Sequence, residues 1–228
     1  MQEQIYYLRA SSLSHDEFCN KRSKIEVFLP FSKSGKGSAR GPIAMGNRLH
    51  GQYSYIGVDF DSNLVLKKLE RYLIRGSFQK QIDNIVVRGV FDNLRVITYQ
   101  GKKYSVLSEL KTIIKKKLWS REIKAAIRQL QIYMWLVRDY LKDMNYPLWE
   151  RGYLEIYSQH TGYLIKRIPV EYDENIEDWI RDVVSRYKGL SRVSTPPLYY
   201  CKRCPVQVRN KCSWYSSMRD VYGKERNQ

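Results

Sequence analysis

The chain has 228 residues, of which 43% are hydrophobic, so it is long enough for one domain with a sizeable core. It contains no apolar run of about 18 residues, which argues against a membrane-spanning helix, and it begins without the basic and then apolar order of a signal peptide. We therefore expect a cytoplasmic protein with no membrane partner. Lys and Arg outnumber Asp and Glu by 40 to 23, a net charge of +17, which favours a nucleic-acid partner over a merely solvated basic surface.

The first third of the chain is predicted to be mainly helical. Residues 14–27 have a helical pattern, with Ser14 as the N-cap and Glu17 three residues later, which is the spacing of a capping box. A basic loop rich in Gly and Ser follows. We expect a helix carrying His50 after this loop, and another helix over residues 64–74.

The middle of the chain changes to a strand pattern. Residues 85–98 and 104–111 are rich in Val, Ile, Leu and Tyr, and they flank Gln100-Gly101-Lys102-Lys103, a turn signal. This arrangement predicts a β-hairpin. The later predicted elements are helices over residues 121–143 and 174–187 and strands over residues 153–158 and 162–170.

Two acidic residues and a lysine on this hairpin predict a metal-dependent site. Glu109 and Lys111 are two residues apart in a strand, so their side chains project to the same face. A turn centred on Gly101 and Lys102 makes paired residue numbers sum to 203, which sets Asp92 opposite Lys111 and about 7–8 Å from Glu109 at the backbone. Two such carboxylates share a Mg²⁺ or Mn²⁺ ion in phosphodiester hydrolysis, while the lysine orients water or stabilises developing charge.

Other residues leave alternatives open at this stage. Glu122 begins a second E-x-K sequence, but it falls in a predicted helix, where positions two apart diverge. Asp59 and Asp61 form a rival acidic pair, for which a surface or turn position is the competing interpretation. Gln129 and Tyr133 stack on one helical face and would reach the metal site or DNA; the alternative is an exposed Gln129 and a core Tyr133. Without further support, the hairpin acids also fit a solvated hairpin.

Four cysteines are placed unevenly, one near the start and three near the end of the chain. Cys201 and Cys204 form a C-x-x-C pair that is followed by Cys212, and Cys19 is the expected fourth ligand. This spacing fits both a zinc site and an iron–sulfur cluster. Either centre would tie the two ends of the chain together.

The ordered set of motifs resembles the RecB-type nucleases that carry an iron–sulfur centre, and among them the fourth CRISPR-associated protein family. The resemblance rests on Cys19, Gly46-x-x-x-His50, Gly89-x-x-Asp92, Glu109-x-Lys111, Gln129-x-x-x-Tyr133 and Cys201-x-x-Cys204-Pro205 with Cys212. It implies a restriction-endonuclease-like α/β core in which helices flank a mixed central sheet. It also implies one nuclease domain over residues 1–228, with a core over 42–190 and an iron–sulfur clasp made by 1–30 and 196–215.

The resemblance further implies the role of each site residue. A 4Fe–4S cluster would bind the four cysteines, and Mn²⁺ or Mg²⁺ would bind His50, Asp92, Glu109 and the Leu110 carbonyl. Lys111 would be the catalytic lysine, and Gln129 and Tyr133 would position the site and the substrate.

The family's activity is DNA cleavage, chiefly exonucleolytic on single strands, in CRISPR spacer acquisition beside the integrase subunits, and some viruses of archaea carry relatives. The predicted function is therefore a divalent-metal-dependent deoxyribonuclease that acts in spacer acquisition or in viral DNA processing. The alternative is a non-catalytic DNA-binding adaptor that carries an iron–sulfur cluster or zinc.

Overall fold

The computed structural model describes residues 5–28, 78–113, 120–188, 201 and 204–216. The predicted basic loop, the His50 helix, the helix over residues 64–74 and the Asp59–Asp61 pair lie outside these ranges. Within them, no helix is long and apolar enough to cross a membrane. The division of the chain into a nuclease core and a clasp stays a prediction.

The described chain contains both helices and β-strands. In order, the elements are β1 (Tyr6–Arg9), α1 (Ala10–Ser14), a 3₁₀ turn (His15–Glu17), α2 (Asn20–Phe28), β2 (Phe78–Ile82), β3 (Ile85–Gly89), β4 (Asn93–Tyr99), β5 (Lys102–Ile113), α3 (Ser120–Asp143), β6 (Arg151–Ser158), β7 (Leu164–Glu171), α4 (Ile176–Lys188) and α5 (Val206–Lys211). This confirms the α/β class and agrees with a restriction-endonuclease-like fold. The helices predicted over residues 121–143 and 174–187 and the strands predicted after residue 150 are confirmed.

In the described part of the chain the strands form two mixed sheets, whereas the family resemblance implied one mixed central sheet. In the first sheet the order is β1-β3-β2, with β1 parallel and β2 antiparallel to β3. In the second the order is β4-β5-β6-β7, in which only the β5–β6 pair is parallel. The prediction of one strand over residues 85–98 was wrong, because the chain leaves the first sheet at Gly89 and enters the second at Asn93. Asp92 therefore lies at the crossing between the two sheets.

The hairpin between β4 and β5 has a different register from the predicted one. Its turn is centred on Gln100 and Gly101, whose φ angles of 48° and 73° are both positive, as a two-residue type I′ turn requires. Tyr99 pairs with Lys102, and Asn93 pairs with Ser108, so paired residue numbers sum to 201. The difference from the predicted sum is two residues, so every side chain keeps its predicted face.

Helix α3 packs against the second sheet and forms the centre of the core. Leu130 and Met134 are fully buried, one turn apart on the same helical face. A glycine at position 152 permits the close approach, since a Cβ atom there would lie 2.9 Å from the Leu107 carbonyl oxygen and 3.3 Å from both helix side chains. This packing fixes α3 above β5, the strand that carries Glu109 and Lys111.

The amino-terminal segment is broken where the sequence predicted one helix over residues 14–27. Helix α1 ends at Ser14, a 3₁₀ turn follows, and α2 begins at Asn20. The predicted capping box was wrong, because the Ser14 hydroxyl donates a hydrogen bond back to the Ser11 carbonyl at 2.9 Å and does not cap a following helix. The break carries His15 and Cys19 toward two different cavities.

Candidate active site and cysteine cavity

A chain of hydrogen bonds connects strand β5 to helix α3. The Lys111 ammonium donates to Glu109 Oε1 at 2.6 Å and to Gln129 Oε1 at 3.1 Å. The Gln129 amide in turn donates to the Tyr133 hydroxyl at 2.7 Å. Gln129 is 9% exposed, so the alternative of a solvated glutamine does not hold. The structure thus brings together four of the side chains that the sequence singled out.

Asp92 joins this group from the crossing between the sheets. Its Oδ2 accepts a hydrogen bond from the backbone N–H of Leu110 at 2.8 Å. Extended by one residue, the observed register also sets Asp92 opposite Glu109, where the prediction had set it opposite Lys111. Two carboxylates are therefore held side by side at the end of one strand pair.

Gly89 has a role that the sequence did not reveal, although it opens the Gly89-x-x-Asp92 motif. A Cβ atom at this position would lie 2.4 Å from Tyr133 Cε1 and 3.0 Å from Ala10 Cβ. Only glycine allows the backbone to pass under the tyrosine ring. This close approach seats Tyr133 over the end of β3, with its hydroxyl on Gln129.

Burial is the largest single influence on the pKa values of Glu109 and Lys111. Glu109 is 1% exposed, and burial raises its pKa to about 8, with Asp92 adding to the rise and Lys111 opposing it. Burial lowers the pKa of Lys111, but the adjacent Glu109 carboxylate outweighs burial and leaves that pKa above its ordinary value. Glu109 Oε2 is buried with no hydrogen-bond partner among the described residues.

The site opens into a cavity of about 280 Å³ that is lined by Lys111, Gln129, Glu122, Arg22 and His15 among others. Glu122 lies in a helix, as predicted when its E-x-K sequence was discounted, and its side chain lines the wall of this cavity. His15 also lines this cavity, and the motifs of the sequence did not single it out. No local pattern links it to Glu26, with which it pairs at 2.5 Å, because the pairing depends on the break between α1 and α2.

The placed residues do not complete a metal-binding group by themselves. Over the described ranges, no three His, Cys, Asp or Glu side chains form a group that could hold a metal ion. His50 lies outside those ranges, so its predicted ligand role is not described. The catalytic and metal-binding roles of Asp92, Glu109, Lys111, Gln129, Tyr133 and Leu110 stay predictions.

All four cysteines line one small cavity between α2 and α5. Each is a free thiol, and Phe18, Trp214 and Val208 complete much of the apolar wall. Burial raises the pKa of Cys19 and Cys201, and it raises that of Cys204 to about 11. Charge on Cys19 and Cys212 raises the pKa of Cys201 further. Over the described residues these sulfurs do not form a group of three or more ligands that could hold a metal ion.

Comparison with known proteins identifies the family. A family model of the PD-(D/E)XK nuclease superfamily matches residues 45–209. The chain belongs to the PD-(D/E)XK nuclease superfamily. Proteins of this superfamily are nucleases that generally depend on divalent metals such as Mg²⁺ or Mn²⁺. The matched range contains Asp92, Glu109 and Lys111.

The other comparisons add little to the PD-(D/E)XK assignment. No curated protein matches the chain. A solved structure described as "Crystal structure of SSO0001" is 15% identical and covers 93% of this chain and 89% of its own, with a TM-score of 0.46. A similarity this low carries no argument about fold or function.

Proposed function

We propose that the chain is a divalent-metal-dependent deoxyribonuclease that acts chiefly as an exonuclease on single-stranded DNA. One observation carries the proposal: Asp92 and Glu109 lie side by side, and Lys111 connects Glu109 to Gln129 through hydrogen bonds. Membership of the PD-(D/E)XK superfamily supports the nuclease class.

The two carboxylates fit a divalent cation. Glu109 Oε2 is buried with no donor, and the proximity of Asp92 raises the pKa of Glu109, so a hard cation between the two would satisfy the orphaned oxygen and favour ionisation of both. Asp92 and Glu109 would hold the ion, with His50 and the Leu110 carbonyl as the other expected ligands. When bound, such an ion polarises the phosphate and lowers the pKa of a coordinated water.

The remaining side chains position the reacting groups. Lys111 has three N–H donors, two of which bind Glu109 and Gln129. The third is available to the phosphate or to the attacking water, where a positive charge stabilises the developing anion. Gln129 and Tyr133 hold the ammonium in place from helix α3, so they act as positioning residues.

We assign a 4Fe–4S cluster to the cysteine cavity in the same proposal. Its support is the shared cavity of Cys19, Cys201, Cys204 and Cys212 and the absence of disulfides among them. Four thiolates carry four negative charges, and Lys21, Arg22 and Arg209 also line this cavity, where they would offset that charge.

The biological role follows from the resemblance to the fourth CRISPR-associated protein family. We propose that the chain processes DNA in CRISPR spacer acquisition, beside the integrase subunits, or in viral DNA processing. The net charge of +17 supports a DNA partner, because counterion release makes a basic surface bind a polyanion.

Cleavage of end-labelled DNA tests the activity. The protein, purified without oxygen, is incubated with 5′- and 3′-labelled single strands with and without Mn²⁺ or Mg²⁺. We expect metal-dependent shortening from an end in the wild type and its loss in Asp92→Asn. Retention of DNA without metal-dependent products would contradict the nuclease and favour the non-catalytic adaptor.

Metal analysis tests the cysteine centre separately. Iron and inorganic sulfide in the anaerobic protein, together with broad visible absorbance, are expected of an iron–sulfur cluster. A colourless protein with about one zinc ion per chain would replace the cluster by a zinc site.

A further inference from the structure

A second cavity adjoins the active-site cavity, and His15 lines both. Its volume is about 570 Å³, against about 280 Å³ for the cavity that contains Lys111. One water molecule occupies roughly 30 Å³ in the liquid. Each cavity is therefore larger than the volume that a cation and its bound waters occupy. A ligand of nucleotide size or larger would fill them.

The polar lining of the second cavity suits a polyanion. Arg9 and Lys211 are the cationic Arg and Lys side chains among the described residues that line it. Glu26 is the carboxylate among the described lining residues, and its oxygens pair with Arg22 at 2.7 Å and with His15 at 2.5 Å. Although burial raises the pKa of Glu26, these two partners outweigh burial and lower it. The Arg22 guanidinium therefore offsets the charge of this acid, and the cavity keeps a net positive charge.

The imidazole of His15 provides a flat wall at the junction. Burial lowers the pKa of His15, so the ring is neutral near pH 7 and its Nδ1–H donates to Glu26. A ring flanked by cations is the combination by which proteins hold single strands, with bases against aromatic faces and phosphates against Lys and Arg.

We propose that the second cavity holds the part of the single strand that flanks the scissile phosphate. Arg9 and Lys211 contact its phosphates, and His15 forms the passage to Lys111. This inference rests on the proposed nuclease function, because the strand reaches Lys111 only as a substrate of that site.

Charge reversal at the rim of the second cavity is the first test. In the Lys111→Met background and without added metal, the affinity for a fluorescein-labelled 15-nucleotide strand is measured by anisotropy as a function of salt. Lys211→Glu is compared with Lys142→Glu, since both lysines are exposed in the last turn of a helix and Lys142 lies some 20 Å along α3 from Gln129 (about 1.5 Å per residue). We expect Lys211→Glu to weaken binding about five- to twentyfold with a shallower salt dependence, and Lys142→Glu less than twofold. Equal losses would overturn the proposal.

Filling the second cavity is the second test. Gln207→Trp places an indole in this space, and Gln79→Trp adds the same side chain at another exposed glutamine, on strand β2. We expect about a tenfold loss of affinity in the first variant only, with thermal melting to verify that both are folded. Unchanged binding in a folded Gln207→Trp protein would overturn the proposal that the second cavity holds the strand.

Cleavage by the otherwise wild-type protein separates the two proposals. Metal-dependent cleavage together with equal binding of the matched variants would refute strand binding in the second cavity but would support the nuclease function. Binding that depends on Lys211 without any cleavage would refute the nuclease and retain the cavity as a DNA-binding site. If the parent protein does not bind single strands, strand binding in the second cavity is refuted.

Discussion

The hairpin–helix site and the cysteine cavity differ in what holds their side chains in place. Glu109 and Lys111 are neighbours on one strand, and the backbone ladder and the bonds to Asp92 and Gln129 fix them. The cysteines come from both ends of the chain, with 181 residues between Cys19 and Cys201, and no covalent bond joins them. The first site therefore depends on local sheet geometry, whereas the second depends on long-range closure of the chain. Substitutions should separate activity from stability accordingly.

The largest effect is expected on catalysis from Lys111→Met. We predict that DNA cleavage falls by about 10²–10⁴-fold, since a positioned cationic group of this kind contributes that much. The melting temperature should change little, because protonation of Glu109 compensates the lost cation. Lys102→Met, on the same strand at the hairpin turn, is the control and should cleave normally. Full activity of Lys111→Met would show that the site is misassigned.

We predict that Cys204→Ser lowers the stability of the fold more than it disturbs the β4–β5 hairpin. Without the bound centre, the loop of about 180 residues is no longer closed in the unfolded chain, which gains entropy. We expect the free energy of unfolding to fall by roughly 3–5 kcal/mol. For a chain of this size, this lowers the melting temperature by roughly 6–20 °C. Absorbance and bound metal should be lost together. Ser213→Ala, beside Cys212, serves as the control. An unchanged melting curve with bound metal retained would contradict closure by these thiols.

Gly89→Ala tests the close packing of Tyr133 on the backbone in the active-site region. The added methyl group meets the Tyr133 ring at 2.4 Å, so the ring must move away from Gln129. We predict a destabilisation of about 1–3 kcal/mol and roughly a tenfold slower cleavage. Gly101→Ala is a useful control: it has nothing within 4 Å but a φ of +73°, so it should cost about 1 kcal/mol without slowing cleavage.

The smallest effect concerns the pH dependence of stability in metal-free protein. Burial raises the pKa of Glu109 to about 8 from an ordinary value of 4.5, so the folded state holds the proton more tightly than the unfolded chain. Its stabilising contribution is complete below pH 4.5 and is lost as the pH rises through 8. Denaturant titrations should therefore show wild type losing stability over this window relative to Glu109→Gln. Added Mn²⁺ should reduce the loss, and parallel curves for the two proteins would refute the shift.

Part of the site follows from sequence spacing because the relevant periods are short. The two-residue period of a strand puts Glu109 and Lys111 on one face, and the helical i to i+4 spacing aligns Gln129 with Tyr133. The register error illustrates the limit: moving the turn to Gln100 and Gly101 changes Asp92 from a partner of Lys111 to a neighbour of Glu109. Asp92 keeps its predicted face of the sheet only because the register shifted by an even number of residues.

The residues alone predicted the mixture of helices and strands, the long helix after the hairpin, and which acids, lysine and cysteines are candidates for a site, because periodicity and residue chemistry are local properties. Only the tertiary structure decided that the predicted strand is divided between two sheets, that Tyr133 crosses over Gly89, and that His15 stands between two cavities. Those features arise where segments distant in the chain pack together, and close packing of this kind leaves no periodic pattern in the sequence.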